Sequence, residues 1–221
     1  MKINSLSNLF IPAQNHESKK LLIIMHGLGD SLEGYSWAPD IFNFANLNYL
    51  MLNAPTPYYD GYSWYEVRDG WLKDETLTPE EKTAVKNSRH KLFALIEELI
   101  TLDFKEDEIA WFGFSQGCVM SLEVALKNQR VFAGFCGMSG YLFNRGQSLN
   151  ELNPSAFKQN ILLTHGTYDD LIPVSRARED AQMLKDKGLK VNYQEFPKTH
   201  TIDPMDELPL IKDWLKEVLE L

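Results

Sequence analysis

Long apolar runs are missing from this chain. No segment approaches the roughly 20 consecutive apolar residues that cross a bilayer. The first stretch, Met1 to Gln14, holds one lysine and no apolar run of export-signal length. A soluble, cytoplasmic protein without stable membrane insertion is expected. Basic charge is scarce as well: 22 Lys and Arg are scattered among 31 Asp and Glu, for a net charge of −9. Phosphate contacts need clustered cations, so a nucleic-acid partner is not expected. Cysteine is nearly absent. Cys118 and Cys136 each sit in an apolar stretch with no CxxC partner and no metal-type spacing, and they read as two buried free thiols. No His, Glu and Asp cluster has ligand spacing and no glycine-rich phosphate loop occurs, so neither metal nor cofactor is expected. Linkers, low-complexity tracts and internal repeats are lacking too, which leaves residues 1–221 as a single domain.

What is present is an alternation of buried strands and amphipathic helices. Leu21–Met25, Tyr49–Asn53, Ile109–Phe114, Phe132–Met138, Ile161–Thr164 and Val191–Phe196 are short runs rich in β-formers, bounded by turn residues. Thr78-Pro79-Glu80-Glu81 supplies an N-cap, a proline at the first helical position and a glutamate that closes a capping box. Val85, Leu92, Ile96 and Leu99 follow on one face. Ala177, Ala181 and Leu184 form a second stripe that stops at Gly188, and Ile211, Trp214, Leu215 and Val218 a third. Such a pattern predicts an α/β fold with helices on both faces of a mostly parallel central sheet, and ligands at the carboxyl ends of the strands. Thr56 to Asp74 and Tyr141 to Gln159 fall outside the pattern and read as irregular.

One motif carries chemistry. Gly113-Phe114-Ser115-Gln116-Gly117 directly follows the run Ile109–Phe112 and precedes a helical segment, Cys118–Lys127. With 13 glycines and 13 serines in 221 residues, chance places some serine between two glycines about 0.05 of the time. The strand, tight turn and helix order is the context in which G-x-S-x-G presents its serine as a nucleophile. Ser115 is therefore the candidate nucleophile, and the Gln116 N–H, at the start of the helix, one donor to a developing oxyanion. Ser139, in Gly137-Met138-Ser139-Gly140, lacks the second flanking glycine.

A serine hydroxyl needs an imidazole to take its proton, and the imidazole needs a carboxylate to set its tautomer. In this fold the partners follow in the order serine, acid, histidine. His16, His26 and His90 precede Ser115, and His165 comes before any suitable acid, which leaves His200 in the polar loop Lys198–Thr201. The acid lies between them, after the strand that ends near His165. Position alone leaves Asp169 and Asp170 as equal candidates.

These residues together resemble the carboxylesterases and lysophospholipases related to acyl-protein thioesterases, of the α/β-hydrolase superfamily. The resemblance rests on His26-Gly27-Leu28-Gly29-Asp30, the Ser115-Gln116 pair between its glycines, Ser63-Trp64-Tyr65, His165-Gly166-Thr167-Tyr168-Asp169 with Ile172-Pro173, and the late His200. It implies a triad of Ser115, Asp169 and His200 and the Leu28 N–H as second oxyanion donor; the chain itself has no long insertion, so no large lid domain is expected. It also implies a small ester or thioester as substrate. Two positions depart from the family pattern: Asp170 stands where a proline is usual, and Cys118 where a small residue is usual. For the acyl group, Leu28, Trp64, Tyr65, Trp71, Leu171 and Ile172 fall in loops at the catalytic face. Either they wall an apolar groove, with Trp64, Tyr65 and Leu171 as substrate contacts, or the aromatics pack the irregular segment.

Overall fold

A computed structural model describes residues 3–68 and 78–221. Its centre is a seven-stranded sheet. In chain order the strands are β1 (Asn8–Ile11), β2 (Leu21–Met25), β3 (Asn48–Leu52), β6 (Ile109–Phe114), β7 (Gly134–Met138), β8 (Asn160–Gly166) and β9 (Lys190–Phe196). Their spatial order is β1-β3-β2-β6-β7-β8-β9, with β1 antiparallel to β3 and all other neighbours parallel. A hairpin of β4 (Thr56–Tyr58) and β5 (Gly61–Ser63) stands apart from the sheet.

Alternation along each strand explains why helices cover both faces. Leu21, Ile23 and Met25 of β2, with Ile109 and Trp111 of β6, point to one apolar layer. That layer is completed by α2 (Pro79–Thr101), α3 (Gln116–Lys127) and α5 (Val174–Asp186). Leu22 and Ile24, with Ala110 and Phe112, point to the other, completed by α1 (Ala38–Phe42) and α6 (Glu207–Leu219). Strands buried on both faces cannot alternate polar with apolar, and so they read as continuous hydrophobic runs. The capping box opens α2 as expected: Thr78 Oγ1 accepts from the Glu81 N–H at 3.2 Å, and the Glu81 carboxylate accepts from the Thr78 N–H at 2.7 Å.

The structure corrects several sequence expectations. β1 has four residues at the sheet's edge, none of them fully buried, so it lacks the buried apolar run that marked the inner strands. The hairpin lies inside the segment expected to be irregular, and the second irregular segment contains α4 (Arg145–Asn150) and a 3-10 turn at Pro154–Lys158. β7 starts at Gly134 rather than Phe132, and α3 starts at Gln116 rather than Cys118. No helix among the described residues is long and apolar enough to cross a membrane, and no large lid is inserted between strand and helix in them.

The sheet order sets the site. From β2 the chain moves outward to β3, then returns past β2 to β6 and proceeds the other way. In open α/β sheets such a reversal is where ligands bind, at the carboxyl ends of the strands. Met25 and Gly113 are paired there in register.

Candidate active site

Ser115 sits between β6 and α3 with φ 53° and ψ −115°, a conformation that costs a non-glycine residue on the order of 1–3 kcal/mol. Its surroundings hold it there: the Ser115 N–H donates to the Met138 carbonyl at 2.9 Å, and its own carbonyl accepts from Val119 at 3.1 Å. The flanking glycines are required by close backbone approach. A Cβ on Gly113 would lie 2.3 Å from the Gly117 carbonyl oxygen, and one on Gly117 would lie 2.2 Å from that of Met25. The motif thus records how tightly the elbow folds on itself and against β2.

Three loops bring side chains to one line. His200, in the loop after β9, places Nε2 3.0 Å from Ser115 Oγ and Nδ1 2.8 Å from Asp169 Oδ2. Asp169 follows β8, and its side chain is fully buried. Its Oδ1 accepts from the Leu171 and Ile172 N–H groups at 3.0 and 2.8 Å. Burial pushes this carboxyl up, but the hydrogen bonds from His200 and Ile172 outweigh it and hold the group below the ordinary carboxylate range. An ionised Asp169 can only accept. The hydrogen of His200 therefore lies on Nδ1, and the Nε2 lone pair faces the Ser115 hydroxyl. Asp170 is exposed, so the two neighbours that sequence position left equal occupy opposite environments.

A second histidine supports the acid. His165, at the end of β8, is 1 % exposed, with Nε2 2.8 Å from the Ile172 carbonyl and 3.4 Å from Asp169 Oδ2. Burial pushes its imidazole below the ordinary 6.5. The neutral ring donates to Ile172 and closes the turn that aims Asp169. Chain order had excluded His165 as a base, and nothing in the sequence marked it as a support.

The loop after β2 lies directly against Ser115, since a Cβ on Gly27 would come 3.3 Å from the Ser115 Cβ. Neither the Leu28 nor the Gln116 N–H has an acceptor among the described residues. Buried His26 sets the path of this loop. Its Nδ1–H donates to the Gly27 carbonyl at 2.6 Å, and its Nε2 accepts from the Ala54 N–H at 3.1 Å. Burial pushes this imidazole below 6.5 as well, which suits a ring that donates at one nitrogen and accepts at the other. The hairpin holds the loop from outside: Gly29 donates to the Tyr62 carbonyl, and Tyr62 to that of Asp30, both at 2.9 Å.

The structure does not place Trp64 and Tyr65 as substrate contacts. They are 1 % and 4 % exposed and belong to the core. The Trp64 indole N–H donates to the His26 carbonyl at 3.0 Å, and the Tyr65 hydroxyl pairs with that of Tyr141 at 2.8 Å. The Gln116 side chain binds this strip on both sides, accepting from the Trp64 N–H at 3.0 Å and donating to the Tyr65 carbonyl at 2.9 Å. The aromatics bury because their N–H and O–H groups find partners inside, and the segment acts as scaffold for the loop after β2. Ile172 is likewise buried and contributes its backbone alone, whereas Leu28 and Leu171 are 37 % and 50 % exposed. Trp71 lies outside the described residues. Cys118 faces Gly137 and Gly140 in the core, and burial pushes its thiol up to about 12.

Comparison with known proteins agrees with the fold. The chain is 29% identical over 196 residues to acyl-protein thioesterase 1 of Schizosaccharomyces pombe, covering 83% of this chain and 81% of that protein. It is 29% identical over 224 residues to acyl-protein thioesterase 1 of Debaryomyces hansenii, covering 95% and 96%. Among solved structures, esterase PE8 superposes with a TM-score of 0.84 at 24% identity, over 97% of this chain and 99% of that one. The Bacillus cereus carboxylesterase gives 0.80 at 14% identity, over 96% and 94%. At such identities the structural likeness speaks for the fold. A family model described as Phospholipase/Carboxylesterase matches residues 6–219. With nearly the whole chain inside that match, the protein belongs to the phospholipase/carboxylesterase family of α/β-hydrolases and is a hydrolase of esters.

Proposed function

We propose that the protein is a serine carboxylesterase for short to medium acyl esters, acting through an acyl-enzyme on Ser115. The observation that carries this reading is the unbroken hydrogen-bonded line from Ser115 Oγ through His200 to the buried Asp169. His200 Nε2 takes the Ser115 proton as Oγ bonds to the carbonyl carbon. The oxyanion of the tetrahedral adduct meets the N–H groups of Leu28 and Gln116, each worth about a hundredfold to a thousandfold in turnover. The imidazolium, held by Asp169, then protonates the departing alcohol or thiol. Water repeats the sequence on the acyl-enzyme: His200 takes its proton, the hydroxide attacks, and Ser115 leaves reprotonated with the acid released.

Leu28 and Leu171 at the rim supply apolar surface for an acyl chain, and the absence of a large lid among the described residues favours small or single-chain esters over bulk lipid. Thioesters enter the proposal through the similarity to proteins named acyl-protein thioesterase 1. Two buried free thiols fit a cytoplasmic setting.

A fluorophosphonate probe and nitrophenyl esters of increasing chain length, applied to the native protein and to Ser115→Ala, test the proposal. The native protein is expected to label and to turn over esters, and the variant to do neither. A native protein that neither labels nor hydrolyses any ester refutes it. Labelling with cleavage confined to peptides or lactones would assign the same site to another bond.

A further inference from the structure

A second constellation lies behind the base. Lys198, two residues before His200, has its side chain 3 % exposed, and its Nζ lies 2.5 and 2.6 Å from the two carboxylate oxygens of Glu207, which is fully buried. The same ammonium donates to the Thr201 carbonyl at 2.8 Å. Lys198 and Thr201 flank His200, so one side chain closes a ring around it. The Glu207 carboxylate also accepts from the Thr164 hydroxyl at 2.5 Å and from the Asp203 N–H at 2.9 Å. It thus takes four hydrogen bonds from three donors, one on β8 and two on the loop that carries the base. The backbone of Lys198 faces the other way, and its carbonyl accepts from the Tyr168 N–H at 3.1 Å, in the turn next to Asp169.

We propose that the Lys198–Glu207 pair is a positioning device for His200, tying the base loop to α6, to the end of β8 and to the acid loop at once. A buried ion pair adds little net stability over well-packed apolar residues of similar volume, because desolvation of both charges offsets their attraction. What it adds is direction. Three donors converge on one carboxylate at fixed angles, which an apolar cluster does not impose. The direction matters because His200 spans two other loops, and a displacement of about 1 Å in such an arrangement costs on the order of a hundredfold in turnover.

This inference rests on His200 being the base, so its test carries separate controls. The double variant Lys198→Met/Glu207→Leu removes both charges together and leaves neither one unpaired. It leaves the Thr164 hydroxyl, the Asp203 N–H and the Thr201 carbonyl without that partner, so the melting temperature is expected to fall by several degrees, with KM unchanged, while kcat and the rate of fluorophosphonate labelling fall on the order of 10- to 100-fold. Thr164→Val removes one donor at constant shape and is expected to lower kcat about fivefold. It decides the matter alone if the double variant does not fold. A native-like kcat in the folded double variant, or in Thr164→Val when that variant stands alone, overturns the proposal. Ser115→Ala and His200→Ala are assayed beside them. If either retains turnover, the triad reading itself fails. If both are inactive while the pair variants are native-like, this inference alone is refuted.

Discussion

A single methyl group at Gly117 separates the fold of the elbow from its chemistry. In Gly117→Ala the added Cβ would sit 2.2 Å from the Met25 carbonyl oxygen and 2.8 Å from that of His26, both backbone atoms at the end of β2. No flexible side chain is available to yield. Ordinary contact requires about 1 Å of separation between the start of α3 and the end of β2, and overpacking of this kind costs about 1–3 kcal/mol. Alanine's higher helix propensity offsets up to about 1 kcal/mol of that. The net loss of about 0–2 kcal/mol lowers the melting temperature by less than about 8 °C in a chain of this size. The same 1 Å moves the loop bearing Leu28 away from Ser115, at a cost on the order of a hundredfold in kcat. Nitrophenyl butyrate turnover at 25 °C, with thermal unfolding followed by circular dichroism, reads both quantities. A folded variant whose kcat stays within threefold of native refutes the argument that contact between β2 and α3 sets the oxyanion geometry.

Three further outcomes are expected. Asp169→Asn should lower kcat by on the order of 10⁴ through loss of the His200 tautomer, whereas exposed Asp170→Asn should remain within a fewfold of native. Equal losses at both positions would contradict the environments described above. His26 and His165 are both held below 6.5 by burial, so the unfolded chain binds more protons than the folded one once the pH drops under that value. Each should then cost up to about 1.4 kcal/mol of stability per pH unit. Urea unfolding at pH 7.5 and 5.5 measures this, and equal stability at the two values would exclude it. Burial pushes the Cys118 thiol up to about 12 and that of Cys136 well above its ordinary range. An aromatic disulfide reagent at pH 8 should modify neither in the native protein and both in denaturant, and rapid native labelling would show that the elbow opens.

Local signals in the chain carried much of the architecture. β2 and β6 are legible because burial on both faces leaves only apolar residues, and the start of α2 because a capping box is confined to four consecutive positions. The tight turn at Ser115 declared itself through its two glycines, which backbone crowding requires. Chain order singled out His200, because the topology of a parallel sheet fixes which loops share an edge. Contacts between distant segments left no such trace. Sequence position could not separate Asp169 from Asp170, and resemblance alone favoured the first; the fold buries one and exposes the other because successive side chains diverge in a turn. In the sequence Trp64 and Tyr65 could equally wall a groove or pack their own segment, and only His26, Gln116 and Tyr141, remote in the chain, supply hydrogen-bond partners inside. Nothing in the sequence distinguishes Lys198 and Glu207 from the other charges, and they become a buried pair only when α6 packs back on the sheet. Periodicity, caps and glycines are properties of neighbouring residues and can be read in one dimension. The environment of a polar side chain depends on which distant segments enclose it, and here only the tertiary structure decided that.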